Sequence, residues 1–213
     1  MKAKALAQEI LHRLDGIYPL RPGLHFCNSW ELLVAVMLSA QTTDEMVNRV
    51  TPVLFKLFPR PSLMASAEIP AIETMVRSVN YYKTKARHLH QVAQILTEQY
   101  REEVPQSMEE LLRLPGVARK TANVVLTHAF GKTEGVVVDT HVIRLSHRLR
   151  LSNAAQRDKI EQDLMKLLPK KFWGDFATLL VYHGRKVCKA QKPLCKQCML
   201  SEICPEYLSE KDK

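Results

Sequence analysis

Four cysteines near the C-terminal end, Cys188, Cys195, Cys198 and Cys204, stand in the pattern C-x6-C-x2-C-x5-C. Thiolates crowded in this way under reducing conditions bind zinc or an iron–sulfur cluster. Spacing alone does not choose the metal, although the matched pair of C-x2-C knuckles that marks a zinc ribbon is missing. Arg185, Lys186, Lys189, Lys192 and Lys196 are interleaved with or flank these cysteines. The loop they define is therefore a positive surface suited to phosphate contacts; a merely solvated face is the plainer reading of the same charges.

A second constellation turns on one amine. Leu114-Pro115-Gly116-Val117-Ala118-Arg119 interrupts helical spacing with a tight turn, and Lys120 falls in the first turn of the helix that resumes and ends before Gly131. Residues 107–130 thus read as a helix–hairpin–helix. Gly116 lets the backbone take a conformation closed to residues with a Cβ, so that successive N–H groups point out of the turn. Such a turn, with Arg119 beside it, holds a phosphate without reading sequence. Lys120 lies there at the positive end of the helix dipole. A neutral lysine attacks an electrophilic carbon and forms a Schiff base, the covalent route if the target is a sugar C1′. An ordinary αα-hairpin carrying a solvated lysine is the plainer alternative.

Asp139 follows Val136-Val137-Val138 and precedes Thr140 and His141, a position suited to capping a helix. A carboxylate there is also able to stabilise a cationic sugar-like transition state or to move protons. Sequence spacing does not say whether it faces Lys120. Cys27, with no second cysteine nearby, reads as a small buried apolar residue. The histidines show no metal-ligand spacing, and Tyr81 and Tyr82 read as packing residues or as a wedge entering a DNA stack.

The elements that must position these groups read as helices. Apolar residues recur at helical spacing almost throughout, no series of alternating strands is seen, and the fold class is all-α. Leu6, Ile10, Leu11 and Leu14 form one stripe that stops near Gly16. Asn28 with Glu31 reads as a capping box opening a helix apolar on every face from Leu32 to Leu38. Thr43 caps the next helix, in which Pro52 predicts a kink or a restart. Pro59 and Pro61 punctuate; Ile72, Met75, Val76 and Val79 mark a short helix. Ala86, Leu89, Val92, Ala93 and Leu96 mark a longer one, and Ser107 with Glu110 is a second capping box. Further helices carry Val142 and Ile143, Ile160 and Leu164, and Phe176 and Leu180. The tail after Tyr207 is charged and predicted to fray.

With 213 residues and 46% hydrophobic content, the chain is long enough for one core or two small ones. It has 31 Lys and Arg against 22 Asp and Glu, a formal charge of +9 that favours a polyanionic partner and salt-sensitive binding. No apolar run is long enough to span a membrane and no secretory signal opens the sequence, which predicts a cytoplasmic protein with reduced thiols.

The segment Leu114 to Leu126, the run Val138-Asp139-Thr140-His141 and the terminal four-cysteine pattern, in this order, resemble the endonuclease III family of the helix–hairpin–helix DNA glycosylase superfamily. Leu38 to Asp44 and Tyr81 to Ala86 look like family segments too. The resemblance covers nearly the whole chain. It implies a six-helix barrel domain over residues 22–133 and a second domain made of residues 1–21 plus 134–213, with DNA in the groove between them. It implies a 4Fe-4S cluster on Cys188, Cys195, Cys198 and Cys204, Lys120 as nucleophile and Asp139 as its assisting carboxylate. It also implies Gln41 filling the gap left by an extruded nucleotide and Tyr81 as the opposing wedge, with Gly116, Ala118, Arg119 and Lys192 among the DNA contacts. The implied activity is that of a bifunctional glycosylase and abasic-site lyase acting as a monomer on duplex DNA that contains oxidised pyrimidines or abasic sites.

Two departures stand out. Ala118 occupies a hairpin position where the family often has a second glycine, so the backbone there must accept a Cβ. Tyr81 is bulkier than the apolar wedge of some members, which bears on opposite-base contacts. Two other functions fit parts of the same pattern: a monofunctional adenine glycosylase of the superfamily, which Lys120 and the lack of an additional C-terminal domain argue against, and a non-catalytic DNA-binding module with a structural metal.

Overall fold

The computed structural model describes residues 2–211, so Met1 and the last two residues of the predicted frayed tail lie outside it. Among the described residues are twelve α-helices, two short 3-10 segments and no strand, so the chain is all-α. In chain order, α1 (Ala3–Leu14) is followed by α2 (Ser29–Ser39), α3 (Asp44–Leu57), α4 (Pro61–Ala65), α5 (Ile69–Met75), α6 (Tyr82–Gln99), α7 (Met108–Leu112) and α8 (Arg119–Phe130). The remainder is α9 (Thr140–Arg148), α10 (Arg157–Leu167), α11 (Trp173–Lys186) and α12 (Pro205–Lys211). The chain divides into two compact units, Gly23–Lys132 on one side and Met1–Pro22 with Thr133–Lys213 on the other.

In the unit holding α2 to α8, α2 is the centre. Trp30 and every residue from Leu32 to Leu38 are buried, and the helix packs against α3, α6 and α8. A helix apolar on every side is stable only when neighbours cover all of it. Its start is set locally: the Asn28 side chain accepts the Glu31 N–H at 2.9 Å. The Glu31 carboxylate reaches past the cap to the Cys27 N–H at 2.6 Å, a variant of the reciprocal box. That extended segment leaves Cys27 exposed, against the expectation of burial.

Pro52 does not restart α3, which runs on from Asp44 to Leu57 with the proline inside it. Its ring is exposed while Val47, Thr51 and Leu54 are buried on the opposite face. The two prolines after α3 do not merely punctuate: Pro61 opens α4, where a proline's missing N–H costs nothing.

In the other unit α1 lies on α10 and α11, and α9 on α10 and α11. The core comprises Leu6, Ile10 and Leu14 with Val142, Leu145, Ile160, Leu164, Phe176 and Leu180. The tail continues as helix α12 to Lys211 instead of fraying after Tyr207. Among the described residues no helix is long and apolar enough to cross a membrane.

Candidate functional site

The hairpin between α7 and α8 is anchored from below and open above. Leu111, Leu114 and Val117 are buried, whereas Gly116, Ala118, Arg119 and Lys120 are exposed. Ser107 caps α7 by accepting the Glu110 N–H at 3.3 Å and donating to the Glu110 carboxylate at 2.7 Å. The turn is closed by Val117 N–H on the Leu114 carbonyl at 3.1 Å. Gly116 has φ +76°, and an added Cβ would stand 2.5 Å from His88 Nδ1. Glycine is thus required twice over, by backbone and by space.

Ala118 is the N-cap of α8 at φ −88°, ψ 165°, ordinary extended backbone that accepts a Cβ without strain. The departure from a second glycine therefore leaves the hairpin undistorted. No side chain caps this helix end, so its leading N–H groups and the positive end of the dipole are offered to an anion. Lys120 is the second residue of that helix. Gly131, left-handed at φ +64°, ends α8 with its own N–H on Thr127 and the Lys132 N–H on Leu126, the arrangement that satisfies terminal carbonyls.

Asp139 belongs to the other unit. It is the N-cap of α9, with Oδ1 accepting the His141 and Val142 N–H groups at 2.8 and 2.9 Å. The buried Val136 and Val138 before it fix the entry of the chain. Capping occupies one oxygen of a half-buried carboxylate.

Gln41 and Tyr81 lie in one unit, and both are non-glycine residues with left-handed backbone, at φ 55° and φ 59°. Gln41 follows the end of α2, and Tyr81, 65% exposed, is the N-cap of α6. Their segments are tied together. The Asn80 amide donates to the Gln41 carbonyl at 2.6 Å. The Lys85 ammonium donates to the carbonyls of Leu38 at 2.7 Å and Ala40 at 2.6 Å and to Thr42 Oγ1 at 3.1 Å. Burial pushes the Lys85 pKa down to about 8. Sequence reading gave neither residue a role; the one available signal for Lys85 was a cation placed among the buried residues of α6, next to Ala86.

The four clustered cysteines line one cavity of about 160 Å³ together with Leu145, Leu149 and Val187. Burial pushes the Cys198 thiol up to about 11, with the nearness of Cys188, Cys204 and Cys195 adding to it against the Leu200 N–H. Burial raises Cys204 as well, opposed by N–H groups of Tyr207 and Glu206. Thiols that hinder one another's ionisation become thiolates together only around a cationic centre. Among the described residues no three His, Cys, Asp or Glu side chains converge as they would on a single ion. Four cysteine sulfurs nevertheless line the one cavity, a donor set that suits zinc or an iron–sulfur centre.

Hydrogen-bond donors surround these sulfurs. Arg148 donates to Cys188 Sγ at 3.3 Å and to the carbonyls of Lys189 and Ala190. The Leu200 N–H lies 3.4 Å from Cys198 Sγ. His183 is held down to about 4 by burial and so is neutral. Its Nε2 lies 3.3 Å from Cys198 Sγ and its Nδ1 3.1 Å from the Tyr18 hydroxyl, which suits Tyr18 donating to Nδ1 and Nε2–H donating to sulfur. Neither Arg148 nor His183 carried a signal in the sequence. Arg185, Lys186, Lys189, Lys192 and Lys196 are all exposed around this cavity's loop, and Lys192 is left-handed at φ 49°.

Comparison with known proteins adds four findings. Residues 34–170 match the model of the HhH-GPD superfamily of base excision DNA repair proteins. The chain is 49% identical over 203 residues to endonuclease III of Synechocystis sp., covering 95% of this chain and 93% of that one. It is 38% identical to endonuclease III of Escherichia coli strain K12, covering 99% of each. A solved structure of a trapped endonuclease III–DNA covalent intermediate superposes with a TM-score of 0.90 at 38% identity, covering 99% of this chain and all of that one.

Proposed function

The chain belongs to the endonuclease III family of the HhH-GPD superfamily, and from that premise we propose that it is a bifunctional DNA glycosylase and abasic-site lyase of base excision repair. Its substrate is duplex DNA with oxidised pyrimidines or abasic sites, and a cytoplasmic location among bacterial relatives is part of the same reading. The observation that carries the mechanism is Lys120, an exposed amine one residue into an uncapped helix N-terminus reached through the φ +76° turn at Gly116. One feature holds the strand by its phosphate and the other supplies the nucleophile beside it.

In this mechanism the damaged nucleotide leaves the stack at a cost of a few kcal/mol. The Lys120 nitrogen bonds to C1′ as the glycosidic bond breaks, and the base departs with its electron pair and takes up a proton. Asp139 stabilises the positive charge that develops on the sugar and accepts or returns protons. Opening of the sugar ring gives a protonated Schiff base; loss of a C2′ proton then expels the 3′ phosphate and breaks the strand by β-elimination. Gln41 and Tyr81 occupy the space opened in the duplex, while Gly116, Ala118, Arg119 and Lys192 contact its backbone.

Cys188, Cys195, Cys198 and Cys204 hold a 4Fe-4S cluster, a reading supported by four sulfurs around one cavity with N–H donors on Cys188 and Cys198. Bound there, the group would tie Cys188, just past α11, to Cys195 and Cys198 and to Cys204 ahead of α12, and so fix the loop that carries Lys189, Lys192 and Lys196.

Borohydride reduction in the presence of abasic duplex tests the reading. The parent protein gives a covalent protein–DNA adduct, and Lys120→Ala gives none. An adduct that persists in Lys120→Ala assigns the nucleophile elsewhere, and no adduct from either protein leaves a binding module or a monofunctional enzyme.

A further inference from the structure

Gln41 and Tyr81 sit at exposed positions in backbone conformations that favour glycine, and neither is glycine. Strain of this kind persists only where the surroundings over-determine it. Those surroundings are two side chains from the start of α6. Lys85 buries its head group against the end of α2, where it serves the carbonyls of Leu38 and Ala40 and the hydroxyl of Thr42. The last carbonyls of a helix are ordinarily served by a glycine-based turn or by water. Here a buried cation on another helix does so, and it brackets Gln41 between Ala40 and Thr42. Asn80 fastens the Gln41 carbonyl itself, and the next residue is Tyr81, whose own carbonyl accepts the Lys85 N–H at 3.0 Å. Neither side chain reaches outward to a ligand, and simple core packing would not select a cation for the buried position.

Resting on the reading of Gln41 and Tyr81 as the residues that enter the duplex, we infer that Lys85 and Asn80 are positioning residues that lock the two insertion loops into one rigid pair before DNA is met. Residues that are already ordered lose little further freedom when they replace an extruded nucleotide, so the advantage falls on duplex opening and not on the chemistry at C1′.

The test uses the full-length protein with its cluster. Asn80→Ala, Lys85→Met and Gln41→Ala are compared by single-turnover cleavage of a lesion-containing duplex. Fluorescence of 2-aminopurine placed opposite the lesion reports unstacking, and borohydride trapping on a single-stranded abasic oligonucleotide, where no partner strand leaves a gap, reports the chemistry. Asn80→Ala lowers the duplex rate about five-fold and Lys85→Met roughly ten-fold or more, from one neutral and several charge-assisted hydrogen bonds. Both reduce the fluorescence rise, with single-strand trapping within about two-fold of the parent. Equal losses on duplex and single strand, or no loss in Asn80→Ala and Lys85→Met while Gln41→Ala is impaired, overturn the positioning role. An unimpaired Gln41→Ala overturns the underlying reading and the positioning role with it. If Lys85→Met fails to fold by circular dichroism, Asn80→Ala decides, since its side chain is exposed.

Discussion

Replacing Gly116 by alanine separates two physical demands that meet at one residue of the hairpin. Its φ of +76° costs an L-residue about 1–2 kcal/mol. The added Cβ would also stand 2.5 Å from Nδ1, 3.1 Å from Cγ and 3.3 Å from Cβ of His88, so the whole imidazole must move. Overpacking of this sort costs about 1–3 kcal/mol, and the two together make a loss of about 2–5 kcal/mol. Urea unfolding followed by Trp30 fluorescence reads this, because Trp30 is buried in the same unit as the hairpin. A Trp173→Phe background silences the other tryptophan. His88→Ala in the Gly116→Ala protein removes the steric part and leaves the backbone part, so a double-mutant cycle gives a coupling of about 1–3 kcal/mol. A loss below about 1 kcal/mol for Gly116→Ala, or a coupling near zero, would refute the reasoning.

Asp139→Asn keeps an N-cap acceptor and changes stability by no more than about 0.5 kcal/mol, whereas Asp139→Ala loses about 1 kcal/mol. Single-turnover base excision falls in both, and equal excision by Asp139→Asn and parent would reduce the residue to a cap. Lys85 contributes a stability that varies with pH: between pH 8 and 10.5 the unfolded chain holds a proton that the folded protein releases, so stability rises with pH through that window. Its three hydrogen bonds favour the ammonium and keep the rise at most on the order of 3 kcal/mol. Denaturation of parent and Lys85→Met across this range, with no pH-dependent difference between them, would contradict it. The purified protein contains iron and acid-labile sulfide in equal amounts, and Cys198→Ser lowers both; stoichiometric zinc in a colourless protein would remove the 4Fe-4S assignment.

Much of the helical framework was legible because its signals are local. Asn28, Thr43, Ser107 and Asp139 cap the helices their spacing predicts, since a capping bond spans two or three residues. The all-apolar stretch from Leu32 to Leu38 announced a central helix, and Gly116 and Gly131 take the left-handed conformations that punctuate the hairpin and end α8. The resemblance of three motifs in order pointed to the family that the comparisons show.

What the sequence could not disclose depends on residues far apart in the chain. Pro52 was read by its own propensity, but packing of the opposite face carries α3 through it. Cys27 was assigned by residue type to an interior it does not occupy. Lys85 reads as one more surface cation until the fold brings the end of α2, more than forty residues earlier, against its amine. Arg148 and His183 acquire a bearing on the cysteines only where α9 and α11 pack together and turn them toward Cys188 and Cys198. Caps, stripes and turns are written in short-range spacing. Which charge is buried, which thiols share a cavity and which two loops are tied together are decided by tertiary packing, because their energies come from partners that only the folded chain brings within reach.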